Sequence, residues 1–148
     1  MFIRRAALGD ALDILRWRND PLTRSMSRDS AVIDTDAHLA WFAKSVDDPS
    51  RMMLVAEAAG EKLGMVRFDD VAGAWEANIN LAPEARGRGL GAPLLMAGLA
   101  AFAEIRPGVA VEAEIRPENA ASVRIFERSG FRPMPSKGDL LRYVWPGA

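Results

Sequence analysis

The chain has no cysteine and a single histidine, His38, in 148 residues. The first absence excludes disulfides, thiolate-bound zinc and a cysteine nucleophile, and the second excludes a histidine-rich metal site. No metal is therefore expected. Long apolar runs are lacking too: none nears the roughly 18 residues of a membrane-crossing helix, and the start, MFIRRAALGD, has no apolar leader segment. Charge of one sign is also missing, since 19 basic residues meet 20 acidic ones for a net charge of −1. That balance argues against nucleic acid or an anionic membrane as a partner. The expected address is the cytoplasm. With no internal repeat, low-complexity tract or Pro/Gly/Ser linker, residues 1–148 are expected to form one domain.

What is there has the texture of a globular protein, 49% apolar with much of that share alanine. Phe2–Arg5 reads as a short strand. Asp10 is placed to cap a helix reaching about Arg18, with Leu8, Leu12 and Leu15 as its apolar stripe and Asn19-Asp20-Pro21 as its stop. A second helix is expected from Asp34 or Thr35, carrying His38, Leu39, Trp41 and Phe42 up to Asp47-Asp48-Pro49. Met52–Ala58 and Leu63–Phe68, joined by Ala59-Gly60-Glu61-Lys62, read as a hairpin. Trp75–Leu81 alternates, with Trp75, Ala77, Ile79 and Leu81 on one face. The period then lengthens to a helix over Leu90–Ile105 and shortens again to a strand over Val109–Ile115. Ala120–Ser129 suits a helix ended by Gly130 as a left-handed cap, and Leu140–Val144 a last strand. The outline is α/β (α+β): a mixed, mostly antiparallel sheet with helices on both faces.

The segment Ile79–Ala92 runs from strand through a Gly-rich loop into the long helix. A helix start leaves about four backbone N–H groups unpaired at its positive dipole end. Gly87, Gly89 and Gly91 let the backbone bend and approach a ligand, so the loop suits phosphate, with Arg86 and Arg88 beside it. A P-loop is excluded because Gly91-Ala92-Pro93 has neither the lysine nor the hydroxyl, and a dinucleotide fingerprint because the third glycine is misplaced. Arg-x-x-Gly-x-Gly, from Arg86 to Gly91 after Pro83, does fit: it resembles the acetyl-CoA-binding motif of the GCN5-related (GNAT) N-acetyltransferases. Asn119 to Phe131, an Asn-led helix ending in Gly130-Phe131, resembles that family's C-terminal motif. The two together span roughly Met52 to Phe131.

The resemblance implies the GNAT acyl-CoA N-acyltransferase fold and acetyl-CoA as co-substrate. It implies that backbone groups of Ile79 and Leu81 pair with the pantetheine arm. It also implies that Arg86, Gly87, Arg88, Gly89, Leu90, Gly91 and Ala92 hold the pyrophosphate, and that Asn119 touches the cofactor. Asn119 also suits a helix N-cap, and Pro93 the first helical turn. Without cysteine, direct attack of an amine on the thioester is the simplest route. Glu76, on the cofactor-binding strand, resembles the glutamate that some relatives use as a base, and His38 is the other candidate. Many relatives carry a tyrosine as general acid where this chain has Phe126, which has no proton to give. Ser122 and Tyr143 are the substitutes, with water as a third.

Leu15 to Pro21, with Trp17-Arg18-Asn19 at its centre, and the helix around His38 resemble nucleotide-sugar N-acetyltransferases of pseudaminic acid biosynthesis. In that reading Trp17 stacks on a ring, Arg18 reaches a diphosphate, and Asn19 and His38 line the acceptor site. The plainer reading has Trp17 packing against the sheet and Arg18 at a helix C-terminus. Asn119-x-x-Ser122 resembles RimJ/RimL-type protein acetyltransferases, which act on peptide α-amines. Acyl-CoA binding without turnover, as a sensor, is the alternative outside enzymes. Relatives are often homodimers, though nothing in the sequence locates an interface.

Overall fold

Two tight turns organise the middle of the molecule, a computed structural model that describes residues 1–27 and 29–148. Ala59 (φ 51°) and Gly60 (φ 78°) reverse the chain between β2 (Arg51–Ala58) and β3 (Glu61–Val71). Ala72 (φ 53°) and Gly73 (φ 88°) do the same between β3 and β4 (Ala74–Leu81). Positive φ at both central positions matches the twist of antiparallel strands and keeps each hairpin in register. With β1 (Phe2–Arg5), β5 (Val111–Ile115), β6 (Arg132–Lys137) and β7 (Leu140–Trp145), they build one seven-stranded sheet of order β1-β2-β3-β4-β5-β7-β6. Among the described strands only β4 and β5 run parallel. The expected α/β architecture, mostly antiparallel with helices on both faces, is what forms.

The helices are α1 (Ala11–Asn19), α2 (Pro21–Met26), α3 (Thr35–Ser45), α4 (Gly91–Ile105) and α5 (Ala120–Arg128). On one face Leu95, Leu99 and Phe102 of α4 and Phe126 of α5 pack on Leu54, Val66, Phe68, Trp75 and Val111. On the other, Ile14 and Trp17 of α1 and Phe42 of α3 pack on Met53, Val55 and Met65. Gly98 is needed for close packing, because a Cβ there would lie 2.5 Å from Val66.

Two elements and one helix phase differ from the expectation. Pro21 does stop α1, but it also starts α2 as its first residue, with the Asp20 carboxylate accepting from Leu22 N and Thr23 N. Pro133 and Pro135 argue against a strand, yet β6 is the sheet's last strand, where a missing N–H is tolerated. The expected stripe of Leu8, Leu12 and Leu15 holds only at Leu15, which is buried, whereas Leu8 and Leu12 are 65% and 63% exposed. Residues 8–10 form a separate 3₁₀ turn, so Leu8 lies outside the helix, and α1, starting directly after Asp10 as expected, turns Ala11, Ile14, Leu15, Trp17 and the half-buried Arg18 inward. The expected four-residue face of β4 does form: Trp75, Ala77, Ile79 and Leu81 pair in unbroken register with Asp70, Phe68, Val66 and Gly64, on the side that α4 covers.

Asp10 makes no side-chain cap on α1. Its carboxylate, 3% exposed, accepts from Ala7 N and from both terminal nitrogens of Arg4, and pairs with Lys62 at 2.8 Å. The Arg4 hydrogen bonds hold its pKa well below the usual carboxylate range despite burial. An unfolded chain therefore takes up this proton more readily, so the stabilisation is complete above about pH 4 and is lost as the pH falls further. Asp10→Asn is expected to cost about 3 kcal/mol at neutral pH. Urea titrations at pH 7 and pH 3 should show that gap closing in acid; an equal gap at both would refute the assignment.

Candidate active site

β4 and β5 are neighbours only at Trp75↔Val111 and Glu76↔Glu112. Beyond that point each strand follows its other partner: β4 stays with β3 as far as Gly64↔Leu81, and β5 with β7 as far as Ile115↔Leu141. The two parallel strands thus splay apart, and the β5-facing edge of Asn78–Leu81 borders a gap. That edge includes Ile79 and Leu81. Gly64 makes the β3–β4 approach possible, since a Cβ there would lie 2.7 Å from the Asn80 carbonyl oxygen.

The gap leads to the glycine loop, where the glycines serve two different ends. Gly87 (φ 72°) and Gly89 (φ 70°) hold left-handed backbone and have open space where a side chain would project. Gly91 instead lies against Ile125, so it permits α4 and α5 to touch. Leu90, the N-cap of α4, offers no side-chain cap. The first amides of the helix, with Pro93 having none, are therefore left for a ligand. Gly87, Gly89, Leu90 and Ala92 line a cavity of about 300 Å³ whose far wall is Arg124 and Arg128 of α5.

Those two arginines went unnoticed in the sequence, although their i, i+4 spacing puts them on one side of a helix. Of the expected pair, Arg86 lines the same cavity, and both arginines have protein partners as well. Arg86 donates to Asp20 at 2.6 Å and to Thr23 Oγ1 at 2.8 Å, clamping α2 to the loop. Arg88 pairs with Glu61 at 3.0 Å on the surface. Asn119 does cap α5, accepting from Ser122 N at 3.2 Å, which places Ser122 in the first turn. Phe126 is 3% exposed and packs edge-on against Phe131, so it is a core residue. Tyr143 lies on the same face beneath α5; burial first and then Glu127 push its pKa up.

Glu76 sits where β4 and β5 part, opposite Asp69 on one side and Glu112 on the other. Directly paired residues point to one face, here the one that α1 and α3 only partly cover. Arg67, opposite Asn78, and Arg51, opposite Asp69, share it. The N-terminal candidates divide. Trp17 and His38 are each 1% exposed and offer no ring face to solvent. His38 Nε2 donates to the Ala11 carbonyl at 2.8 Å, and burial lowers its pKa, so it is neutral at pH 7. Asn19 is occupied at both ends by Ile33, accepting from its N–H and donating to its carbonyl. Arg18 reaches the polar face, stacked over Trp41. Among the described residues no three His, Asp or Glu side chains converge as a metal site, and no helix is long and apolar enough to cross a membrane.

Residues 1–132 match the acetyltransferase (GNAT) domain family. YncA of Salmonella typhimurium, solved with its cofactor acetyl-CoA, superposes with a TM-score of 0.82 at 25% identity over 99% of this chain and 93% of that one. A ribosomal-protein-alanine N-acetyltransferase from Brucella melitensis matches with a TM-score of 0.82 at 25% identity over 99% of both chains. The fold is also that of the Vibrio cholerae spermidine N-acetyltransferase solved with CoA and spermine, with a TM-score of 0.83 at 20% identity over 97% and 94%. No curated protein matches the sequence. The chain belongs to the GNAT acetyltransferase family, and it is an acetyl-CoA-dependent N-acetyltransferase.

Proposed function

We propose that the chain transfers the acetyl group directly to a primary amine held on the sheet face beside Glu76. The observation that carries this reading is the parting of β4 from β5 at Glu76, which puts a carboxylate at the apex of the gap. The Asn78–Leu81 edge supplies main-chain partners for the pantetheine arm. The amides around Gly87–Ala92, with Arg124 and Arg128 opposite, receive the pyrophosphate. Glu76, directly or through a water, takes the proton of the ammonium. The amine nitrogen then bonds to the thioester carbonyl carbon, the C–S bond breaks, and CoA leaves as the thiol. A main-chain N–H near Leu81 serves the oxyanion. Ser122 in the first turn of α5, or water, is the proton donor to sulfur; Tyr143 points instead toward Glu127, near the helix's other end.

A peptide α-amine is a second acceptor reading, supported by the likeness to the Brucella enzyme. Thermal-shift and calorimetric titration with acetyl-CoA, followed by thiol release with amino-sugar nucleotides, N-terminal peptides and polyamines, tests the proposal. Cofactor binding with acceptor-dependent release is expected. Binding without release on any amine would favour an acyl-CoA sensor, and no binding would overturn the site.

A further inference from the structure

Three arginines from three elements converge on one tryptophan. The guanidinium carbons of Arg18 (α1), Arg51 (β2) and Arg67 (β3) lie 5.2, 5.3 and 5.4 Å from the ring centroid of Trp41 on α3. Asp69 answers part of this charge, accepting from Arg67 Nε at 2.9 Å and lying 3.6 Å from Arg51; Asp48 is 3.9 Å from Arg51. Neither carboxylate pairs with Arg18. Among the described residues Arg18 has no ion pair and donates no hydrogen bond, although its inward position on α1 half-buries it. Burial first, and then Arg67 and Arg51, push its pKa down to about 10. Stacking on Trp41 uses the face of the guanidinium and leaves its in-plane N–H donors unused. A half-buried fork of donors beside two like charges is stabilised by an anion.

We infer that the acceptor carries a carboxylate or phosphate beside its amine, and that Arg18, Arg51 and Arg67 around Trp41 bind it. This rests on the reading of the Glu76 face as the acceptor side. Arg51 is directly opposite Asp69, and Asp69 opposite Glu76, so the cluster and Glu76 share one face. One strand across and two residues along put Arg67 about 8 Å from Glu76. A compact molecule spans that distance, with its ammonium toward Glu76 and Glu112 and its anion toward the arginines. A polyamine, cationic throughout, meets the wrong charge at this end.

The test is acetyl-CoA-dependent thiol release on matched pairs: amino acids against their amides, phosphoethanolamine against ethanolamine, glucosamine 6-phosphate against glucosamine, with spermidine alongside. At least one anionic member should exceed its neutral partner in kcat/KM by about thirtyfold or more. The preference should collapse through KM in Arg18→Gln and in Arg67→Gln, with acetyl-CoA-induced stabilisation retained as proof of folding. The amino-acid and phosphate pairs separate the two sources of the anion. Turnover of neutral amines or spermidine alone, or a preference unchanged in both variants, overturns this inference and leaves the acetyltransferase reading standing. Turnover of no amine by the acetyl-CoA-bound wild type fails both.

Discussion

Gly89→Asp should lower acetyl-CoA affinity at least a hundredfold while leaving the protein folded, the largest single effect expected in the cofactor site. Two consequences of the substitution need separating. Gly89 has φ 70°, so any side chain strains the backbone by about 1–2 kcal/mol. Nothing surrounds the position where its Cβ would stand, so bulk alone clashes with no protein atom. Gly89→Ala therefore reports the strain alone, as a modest loss of thermal stability and of affinity. The aspartate adds a negative charge where the pyrophosphate is to sit. At about 4 Å and an effective dielectric near 20 that repulsion is worth about 4 kcal/mol, more than the roughly 2.8 kcal/mol that a hundredfold change requires. Calorimetric titration of both variants decides the matter. An aspartate variant that binds as well as the alanine variant would place the pyrophosphate elsewhere.

Glu76→Gln should lower kcat by about 10²- to 10⁴-fold, the usual contribution of a positioned base. The amide keeps the size of the carboxylate and its place opposite Asp69 and Glu112, so acetyl-CoA affinity should stay within about twofold of wild type. The acidic limb of the pH–rate profile should disappear with the carboxylate. A fall in kcat with the pH profile unchanged would make Glu76 a positioning residue. An unchanged kcat would remove it from the proton path.

The glycine loop shows how much of this site can be read from a linear chain. Gly87 and Gly89 are legible because left-handed backbone before a helix selects for glycine whatever the rest of the molecule does. Gly91 looks the same in sequence, yet its reason is Ile125, on another helix. Asn119 and Asp34 behave as caps because a cap is made within three residues. Pro133 and Pro135 are tolerated because the rule against proline applies to inner strands, and only the sheet order makes β6 an edge.

Charge was the least legible property. Arg86 and Arg88 stand next to the loop in sequence; Arg86 lines the cavity while paired with Asp20, Arg88 pairs with Glu61, and Arg124 and Arg128 join the lining from another helix. Trp17 and His38 sit among residues suited to an acceptor site, but the packing of α1 and α3 on the sheet turns both rings inward.

The sequence by itself determined most of the elements, the Ala59-Gly60 turn, the phosphate-ready loop and the exclusion of cysteine chemistry. Each depends on periodicity, allowed backbone angles or composition, which act over a few residues or over none. Tertiary structure alone decided where β4 leaves β5, which arginines are free to meet a ligand, and that Arg18, Arg51 and Arg67 gather at Trp41. Those outcomes depend on partners tens of residues apart, and Coulomb forces and packing act on distance in space, which the order of residues does not contain.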